Sequence, residues 1–294
     1  MRWSPLLALV SACALVTGCS SSTDAPNEGC VDNGSSALTT CAAGTTVKGI
    51  DVSVYQGTVG WAQVKAGGWE YAYIRVSDGL NYPDSKFATN WPAAKTAGVI
   101  RGAYQFFRPG QDPTMQADAM VAKINAAGGL EAGDLPPVLD IEVTDGVAST
   151  TIQSRAKTWL QEVEKKTGVK PLVYTANFMS SAIGTALGSY TLWVANYGAT
   201  CPLMPSGWTN WKFWQNADNG SIPGISGNTD TDLFNGNKTQ LAALTIQPPK
   251  PPPSTPPPSE PQASNDPPPT AGSEGSTLGS GNPAPAPAPD PCSR

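Results

Sequence analysis

The sequence predicts an α/β fold, a single β/α barrel of the TIM type that occupies the central part of the 294-residue chain. Strand-like and helix-like patterns alternate between residues 48 and 187, which indicates strands joined by crossover helices. Three further strand patterns follow with no good helix between them. Eight strand candidates, with helices missing between the last strands, therefore favour a barrel.

The strand candidates are short runs rich in apolar and β-branched residues, at 48–54, 71–76, 99–108, 135–143, 170–176, 192–197, 212–216 and 229–234. Helical spacing and capping residues predict helices at 61–66, 84–97, 112–127, 150–167 and 178–187. A doubly wound open sheet is the competing topology. Neither a Gly-x-Gly-x-x-Gly motif nor a P-loop is present, which removes the usual ligand of that alternative.

The first residues have the pattern of an export signal. Arg2 and an apolar segment precede Val16-Thr17-Gly18-Cys19, which resembles the lipobox of bacterial lipoproteins. Residues 1–18 are therefore predicted to be a lipoprotein signal peptide, with Cys19 as the lipid anchor and residues 19–46 as a polar tether. The prediction is an exported protein held at the outer membrane or cell surface. An ordinary secretory signal and a short membrane helix are the alternatives.

The last part of the chain is dominated by Pro, Ser, Ala and Gly. Such a composition buries too little apolar surface to fold alone, so residues 247–294 are predicted to be a disordered tail. The catalytic or binding domain is thereby confined to residues 47–246, an ordinary size for one domain.

Besides Cys13 and the predicted lipid anchor Cys19, the chain has four cysteines, at Cys30, Cys41, Cys201 and Cys292. In an exported protein an even number of cysteines suggests disulfides, and four thiols allow three connectivities. The pair Cys30–Cys41 closes the shortest loop and is the predicted one. No Cys-x-x-Cys spacing indicates a metal, and the sequence predicts neither a metal site nor a cofactor.

The chain contains no histidine, which excludes Ser-His-Asp and Cys-His catalysis and histidine-ligated zinc. Acid-base chemistry near neutral pH must therefore depend mainly on carboxylates. A net charge of −5 without a basic cluster argues against nucleic acid as a partner.

Acidic residues lie at the predicted carboxyl ends of three strands. Asp140 and Glu142 follow an apolar run two residues apart, so that on a strand they share one face. Asp51 ends the first strand, and Asp230 lies with Asp232 in the last. Because functional groups of such barrels gather at the carboxyl ends of the strands, these carboxylates are expected to meet at one mouth.

A series of short motifs runs through the central region in order. They are Lys48-Gly49-Ile50-Asp51-Val52-Ser53, Tyr55-Gln56-Gly57, Ile74-Arg75-Val76-Ser77-Asp78-Gly79, Asp84-Ser85-Lys86-Phe87, Arg101-Gly102-Ala103-Tyr104-Gln105-Phe106, Leu139-Asp140-Ile141-Glu142, Pro171-Leu172-Val173-Tyr174-Thr175, Leu192-Trp193-Val194-Ala195-Asn196-Tyr197, Trp214-Gln215 and Gly227-Asn228-Thr229-Asp230. Over about residues 47–245 the sequence thus resembles the glycoside hydrolase family 25 lysozymes, the N,O-diacetylmuramidases.

This resemblance implies a flattened β/α barrel that cleaves the β-1,4 bond between N-acetylmuramic acid and N-acetylglucosamine in peptidoglycan. Glu142 would be the general acid/base, and Asp140 would assist it or orient the 2-acetamido group of the substrate. Asp51 and Asp230 would complete the acidic cleft. The expected partners are peptidoglycan glycan strands and, through the lipid, a membrane, and the protein is expected to be a monomer.

Aromatic and polar side chains near the strand ends are candidates for binding sugar, because flat apolar faces stack on pyranose rings and amides bind hydroxyls. The candidates are Arg75, Tyr104, Gln105, Tyr174, Trp193, Tyr197 and Gln215. For any one of the aromatic residues, packing in the barrel core is the alternative. Two positions depart from the family pattern, because Gln105 stands where relatives often have histidine and Asp232 where asparagine is common.

Two other functions fit the same sequence. Paired carboxylates in a barrel also serve hydrolases of chitin or other N-acetylglucosamine polymers. A barrel that binds the cell wall without cutting it is the alternative from another class, and the presence of all four acidic positions weighs against it.

Overall fold

The computed structural model describes residues 38–248. The predicted signal peptide, Cys19, most of the tether and all but the first two residues of the tail lie outside the described residues. Backbone contacts divide the chain into two units after Pro248, and only the first contains described residues. None of the helices described is long and apolar enough to cross a membrane.

Nine strands and six helices make up this part of the chain. The strands are β1 (Thr46–Val52), β2 (Tyr71–Asp78), β3 (Tyr82–Pro83), β4 (Ile100–Phe106), β5 (Val138–Asp140), β6 (Leu172–Ala176), β7 (Leu192–Ala195), β8 (Phe213–Gly220) and β9 (Thr229–Asn235). The helices are α1 (Trp61–Ala66), α2 (Phe87–Thr96), α3 (Pro113–Ala126), α4 (Ser149–Thr167), α5 (Ser180–Ile183) and α6 (Lys238–Leu244). Two single-turn 3₁₀ helices lie at Val54–Gln56 and Asn177–Met179.

Eight of the strands close into a barrel. The neighbours follow the order β1, β9, β8, β7, β6, β5, β4 and β2, and β2 pairs again with β1. Every pairing in the ring is parallel except those of β9, which runs antiparallel to both β8 and β1. The remaining strand, β3, is a short antiparallel addition to the end of β2. The closed ring confirms the predicted barrel and excludes an open doubly wound sheet.

Helices cover the outside of the first part of the barrel. The clearest is α4, whose apolar positions Ile152, Ala156, Trp159, Leu160 and Val163 are all buried. It ends at Gly168, which adopts the left-handed conformation with φ 71° that glycine tolerates best. No helix lies between β7 and β8 or between β8 and β9 in residues 192–235, as the sequence predicts.

Aromatic rings fill the inside of the barrel below its mouth. Tyr73 stacks on Trp193 with ring centroids 4.6 Å apart, and Phe213 packs edge-on against Tyr71 at 5.2 Å. The backbone makes room for these rings at Gly49, where an added Cβ would lie 2.2 Å from the Tyr71 ring. The interior is thus a packed core, as expected for a barrel of this size.

The segment before β1, residues 38–45, forms a strap against the long connection between β7 and β8. Thr39 pairs with Leu203, and Trp211 donates a hydrogen bond from Nε1 to the Thr40 carbonyl at 2.6 Å. A disulfide joins Cys41 to Cys201 across the contact, with Cα atoms 4.6 Å apart.

The predicted disulfide Cys30–Cys41 is therefore wrong, since Cys41 pairs with Cys201. The criterion of shortest loop failed because the two cysteines, 160 residues apart, are brought together by tertiary folding of the strap. Cys30 and Cys292 lie outside the described residues.

Candidate active site

Four carboxylates meet at one mouth of the barrel. Asp51 lies near the end of β1, Asp140 is the last residue of β5, and Glu142 follows two residues later. Asp230 is directly opposite Asp51 in the ladder between β9 and β1. The structure thus brings together the acidic residues that the sequence placed at the strand ends.

The direction of β9 corrects one part of that prediction. Asp230 was expected at the carboxyl end of its strand, but it is the second residue of β9. Because β9 runs antiparallel to β1, its amino end lies beside the carboxyl end of β1. Asp230 reaches the predicted mouth from a strand of the opposite direction.

Glu142 is half-buried in the loop that continues from β5. Burial and then the negative charge of Asp230 raise the pKa of Glu142 to about 7, while the nearby Arg108 guanidinium opposes the rise. Glu142 therefore carries a proton over much of the weakly acidic range. A carboxylic acid of this kind is the group that general acid catalysis requires.

Asp140 is buried beside Glu142, and its Oδ1 has no hydrogen-bond partner among the described residues. Burial and the charge of Glu142 raise the pKa of Asp140, and Arg75 lowers it in part. The backbone of Asp140 is tied to the end of the neighbouring strand β4, because its carbonyl accepts a 2.7 Å hydrogen bond from the Phe107 amide. The neighbouring carboxyls therefore differ in exposure, since Asp140 is buried and Glu142 is half-buried.

Asp51 is held by an amide. Gln215 donates from Nε2 to Asp51 Oδ2 at 2.7 Å, and its Oε1 accepts hydrogen bonds from the hydroxyls of Tyr174 at 2.6 Å and Tyr197 at 2.8 Å. Burial, followed by the charges of neighbouring carboxylates, raises the pKa of Asp51. Burial also raises the pKa of Asp230 to about 6, with a further contribution from the Asp218 charge. Gln215 therefore links the carboxyl of Asp51 to the hydroxyls of Tyr174 and Tyr197 through hydrogen bonds.

Arg75 lies at the mouth with its charge already paired. Its Nε donates to Asp84 Oδ2 at 3.1 Å, and its guanidinium lies 5.1 Å from the centre of the exposed Tyr55 ring. Burial and the charge of Asp51 raise the pKa of the buried Tyr104, and the charge of Arg75 lowers it in part. These predicted binding residues therefore line the same side of the mouth.

Two predicted binding residues do not line the mouth. Gln105 is fully buried on the outer face of β4, where it donates to Ser77 Oγ at 2.9 Å and accepts from Trp159 Nε1 at 2.6 Å. Trp193 is buried in the barrel interior and donates to Asp232 Oδ1 at 2.8 Å. Neither side chain presents more than 1% of its surface to solvent at the mouth.

An ion-pair cluster that the sequence motifs did not predict lies beside Glu142. Arg108 binds Asp78 through Nε and Nη2 at 2.5 and 2.7 Å and reaches Asp145 through Nη1 at 3.4 Å. Asp145 adopts φ 48°, unusual for a residue other than glycine, in the loop that follows Glu142. The cluster joins the last residue of β2 to the loops after β4 and β5, and Asp145 before Gly146 was the only local signal for it.

Exposed aromatic side chains follow the strand ends near the carboxylates. They are Tyr55 at 80%, Tyr82 at 69%, Phe178 at 65% and Tyr197 at 47% exposure. Large apolar faces left in solvent are informative, because they suit stacking on sugar rings. Among residues 38–248 there is no group of three or more His, Cys, Asp or Glu side chains arranged to hold a metal ion.

Comparisons with known proteins agree with this arrangement. Residues 50–225 match the family model of the glycosyl hydrolases family 25. Lysozyme M1 of Streptomyces globisporus is 37% identical over 214 residues, which cover 67% of this chain and 71% of that protein. An N,O-diacetylmuramidase of Arthroderma benhamiae is 30% identical over 215 residues, covering 67% of this chain and 85% of its own length.

A solved structure supports the same relationship. The bacterial lysozyme from Streptomyces coelicolor superposes with a TM-score of 0.64 at 34% identity, covering 68% of this chain and 97% of that one. The family match over residues 50–225 includes Asp51, Asp140 and Glu142 of the acidic mouth. The chain therefore belongs to the glycosyl hydrolases family 25.

Proposed function

We propose that this chain is a lysozyme that hydrolyses the β-1,4 bond between N-acetylmuramic acid and N-acetylglucosamine in peptidoglycan. The observation that carries the proposal is Glu142, a half-buried carboxyl at the barrel mouth whose pKa of about 7 lets it deliver a proton. Relatives named lysozyme and N,O-diacetylmuramidase support the choice of substrate.

In the proposed reaction Glu142 protonates the glycosidic oxygen as the C1–O bond breaks. The 2-acetamido oxygen of the substrate attacks C1 and forms a cyclic intermediate, while Asp140 orients the amide and compensates its developing positive charge. Water then opens the intermediate as the Glu142 carboxylate accepts its proton. This route predicts retention of configuration at C1, and the alternatives are a carboxylate nucleophile or direct inversion by water.

Product analysis tests the substrate. Purified peptidoglycan is digested, reduced with borohydride and examined by mass spectrometry for the sugar at the new reducing end. Reduced N-acetylmuramic acid is expected, and reduced N-acetylglucosamine would refute the muramidase assignment. NMR of the first product formed then distinguishes retention from inversion.

The same assay separates the two other functions. A chitin hydrolase would release oligosaccharides from chitin at a rate comparable to its rate on peptidoglycan, whereas the proposed enzyme should leave chitin largely intact. A barrel that only binds would sediment with cell walls and release no reducing ends from either polymer. The exposed aromatic side chains suit all three functions, so the decision rests on the products that are released.

The location of the enzyme is a separate proposal. We propose that cleavage before Cys19 leaves a lipid on this cysteine, which anchors a monomeric enzyme to a membrane through the tether. Mass spectrometry of the protein extracted from membranes should show a diacylated or triacylated Cys19. An unmodified N-terminus cleaved elsewhere would overturn the lipid anchor.

A further inference from the structure

One carboxyl of the barrel has no role in the proposed reaction. On β9, alternate residues face the interior, so that Asp230 lies at the mouth, Asp232 below it and Phe234 in the aromatic core. Asp232 is 0% exposed and lies opposite Gly49 of β1 and Gln215 of β8. A fully buried carboxyl of this kind needs a partner or a proton.

The hydrogen bonds of Asp232 account for only one of its two oxygens. Oδ1 accepts from Trp193 Nε1 at 2.8 Å, and Oδ2 meets no donor within residues 38–248. The carboxyl of Asp51 lies within hydrogen-bonding reach of the Asp232 carboxyl. Two ionised carboxylates cannot share a hydrogen bond, because neither has a proton to donate.

The groups that face Asp232 offer it no positive charge. They are Asp51 from β1, Tyr71 and Tyr73 from β2, Trp193 from β7, Gln215 from β8 and Asp230 on its own strand. The two tyrosine hydroxyls are themselves buried without hydrogen-bond partners in the described part of the chain. An ionised Asp232 would therefore be an uncompensated charge in a low-dielectric interior.

We propose that Asp232 is a positioning residue that shares one proton with Asp51 in a hydrogen bond between the two carboxyls. Asp51 is then held by the Gln215 amide from one side and by the Asp232 carboxyl from below. The arrangement fixes the orientation of Asp51 at the mouth and leaves the pair with one negative charge. The role of Asp51 in the acidic cleft rests on the proposed function.

Burial and the charge of Asp230 raise the pKa of Asp232, while the hydrogen bonds with Trp193 and Asp51 lower it. The indole nitrogen of Trp193 is a donor only, so it cannot take the proton. The protonated Asp232 side chain has the size and the hydrogen-bonding pattern of asparagine.

Two substitutions at Asp232 separate positioning from packing. In D232N the amide nitrogen replaces the donor to Asp51 and the amide oxygen still accepts from Trp193, so kcat/KM should stay within about fivefold of the wild type. In D232L the volume is kept and the donor is lost, so kcat/KM should fall at least about tenfold, with an altered pH profile. A D232N variant as impaired as D232L would overturn the proposal.

Infrared difference spectroscopy tests the proton directly and needs no substrate. At pH 7, the wild type minus D232N should show the carbonyl stretch of a protonated carboxyl, and the exposed Asp118→Asn control should not. Absence of that band overturns the proposal even if D232L fails to fold. Because this measurement involves no glycan, its result is independent of whether peptidoglycan is the substrate.

Discussion

Removing the proton donor at Glu142 gives the sharpest test of the mechanism. With a pKa of about 7 in place of its usual 4.5, the protonated form of Glu142 is favoured by about 3 kcal/mol. At pH 6 about 90% of the molecules would then hold the proton, against about 3% for an unperturbed glutamate. We therefore expect kcat/KM to fall as the pH rises through about 7, because the acid form is lost.

The substitution E142Q should lower kcat/KM by roughly 10²- to 10⁴-fold at pH 6, because glutamine cannot donate a proton in the transition state. Glu131→Gln is the matched control, since Glu131 is 54% exposed and pairs with Lys95 away from the mouth. The assay is release of reducing ends from soluble peptidoglycan between pH 4 and 9, with circular dichroism to show that both variants are folded. An E142Q enzyme of near wild-type activity, or an alkaline limb below pH 5, would refute the reasoning.

Three further predictions concern charge, crosslinking and packing. D230N removes a negative charge that raises the pKa of Glu142, so the alkaline limb of kcat/KM should move to lower pH; an unmoved limb would contradict the coupling. The variant C41S/C201S should lose roughly 2–5 kcal/mol of unfolding free energy in urea, since the disulfide closes a 160-residue loop. Reductant should destabilise the wild type to the same extent and leave the variant unchanged. Gly49→Ala places a methyl group in the ring of a neighbouring tyrosine and should cost about 1–3 kcal/mol in the same titration, whereas unchanged stability would show that the ring moves freely.

Much of the barrel was predictable because its elements carry strong local signals. The helix α4 combines a continuous apolar face with a glycine stop, and its packing against the sheet follows from that face alone. The absence of helices between β7 and β8 and between β8 and β9 was equally visible, since Gly, Pro and Asn interrupt the apolar period in that region. The position of α4 and the lack of helices between the last strands depend on residues close together in sequence, so they can be read from one sequence alone.

The residues that were misplaced depend on which face of a strand points inward. Tyr104 and Gln105 are adjacent on β4, so only one of them can face the interior. Tyr104 does, and Gln105 lies under α4 in contact with Trp159. Because adjacent strand residues face opposite sides, only one of these two side chains can lie at the mouth. Which of them does so depends on the packing of Trp159, 54 residues later in the chain.

The sequence predicted which carboxylates form the acidic mouth, but not how the strands that carry them are arranged. Asp51 and Asp230 meet because β9 closes the ring by inserting antiparallel between β8 and β1. The residues of a seven-residue strand do not indicate whether it runs parallel or antiparallel to its neighbours. The sequence therefore predicted that Asp230 lies at the mouth but assigned it to the wrong end of its strand. The predicted partner of Cys41 was wrong for a related reason, because tertiary contacts determine where the strap packs on the barrel.

That strap has a mechanical consequence for the site. A pull on the chain before Leu38 first loads the bridge between Thr39 and Leu203 and then the covalent link at Cys41. The force passes through the link into the connection between β7 and β8, and it does not peel β1 away from β9 and β2. Asp51 on β1 is thus isolated from tension that enters at the amino end, so the acidic mouth can keep its shape while the chain is under load.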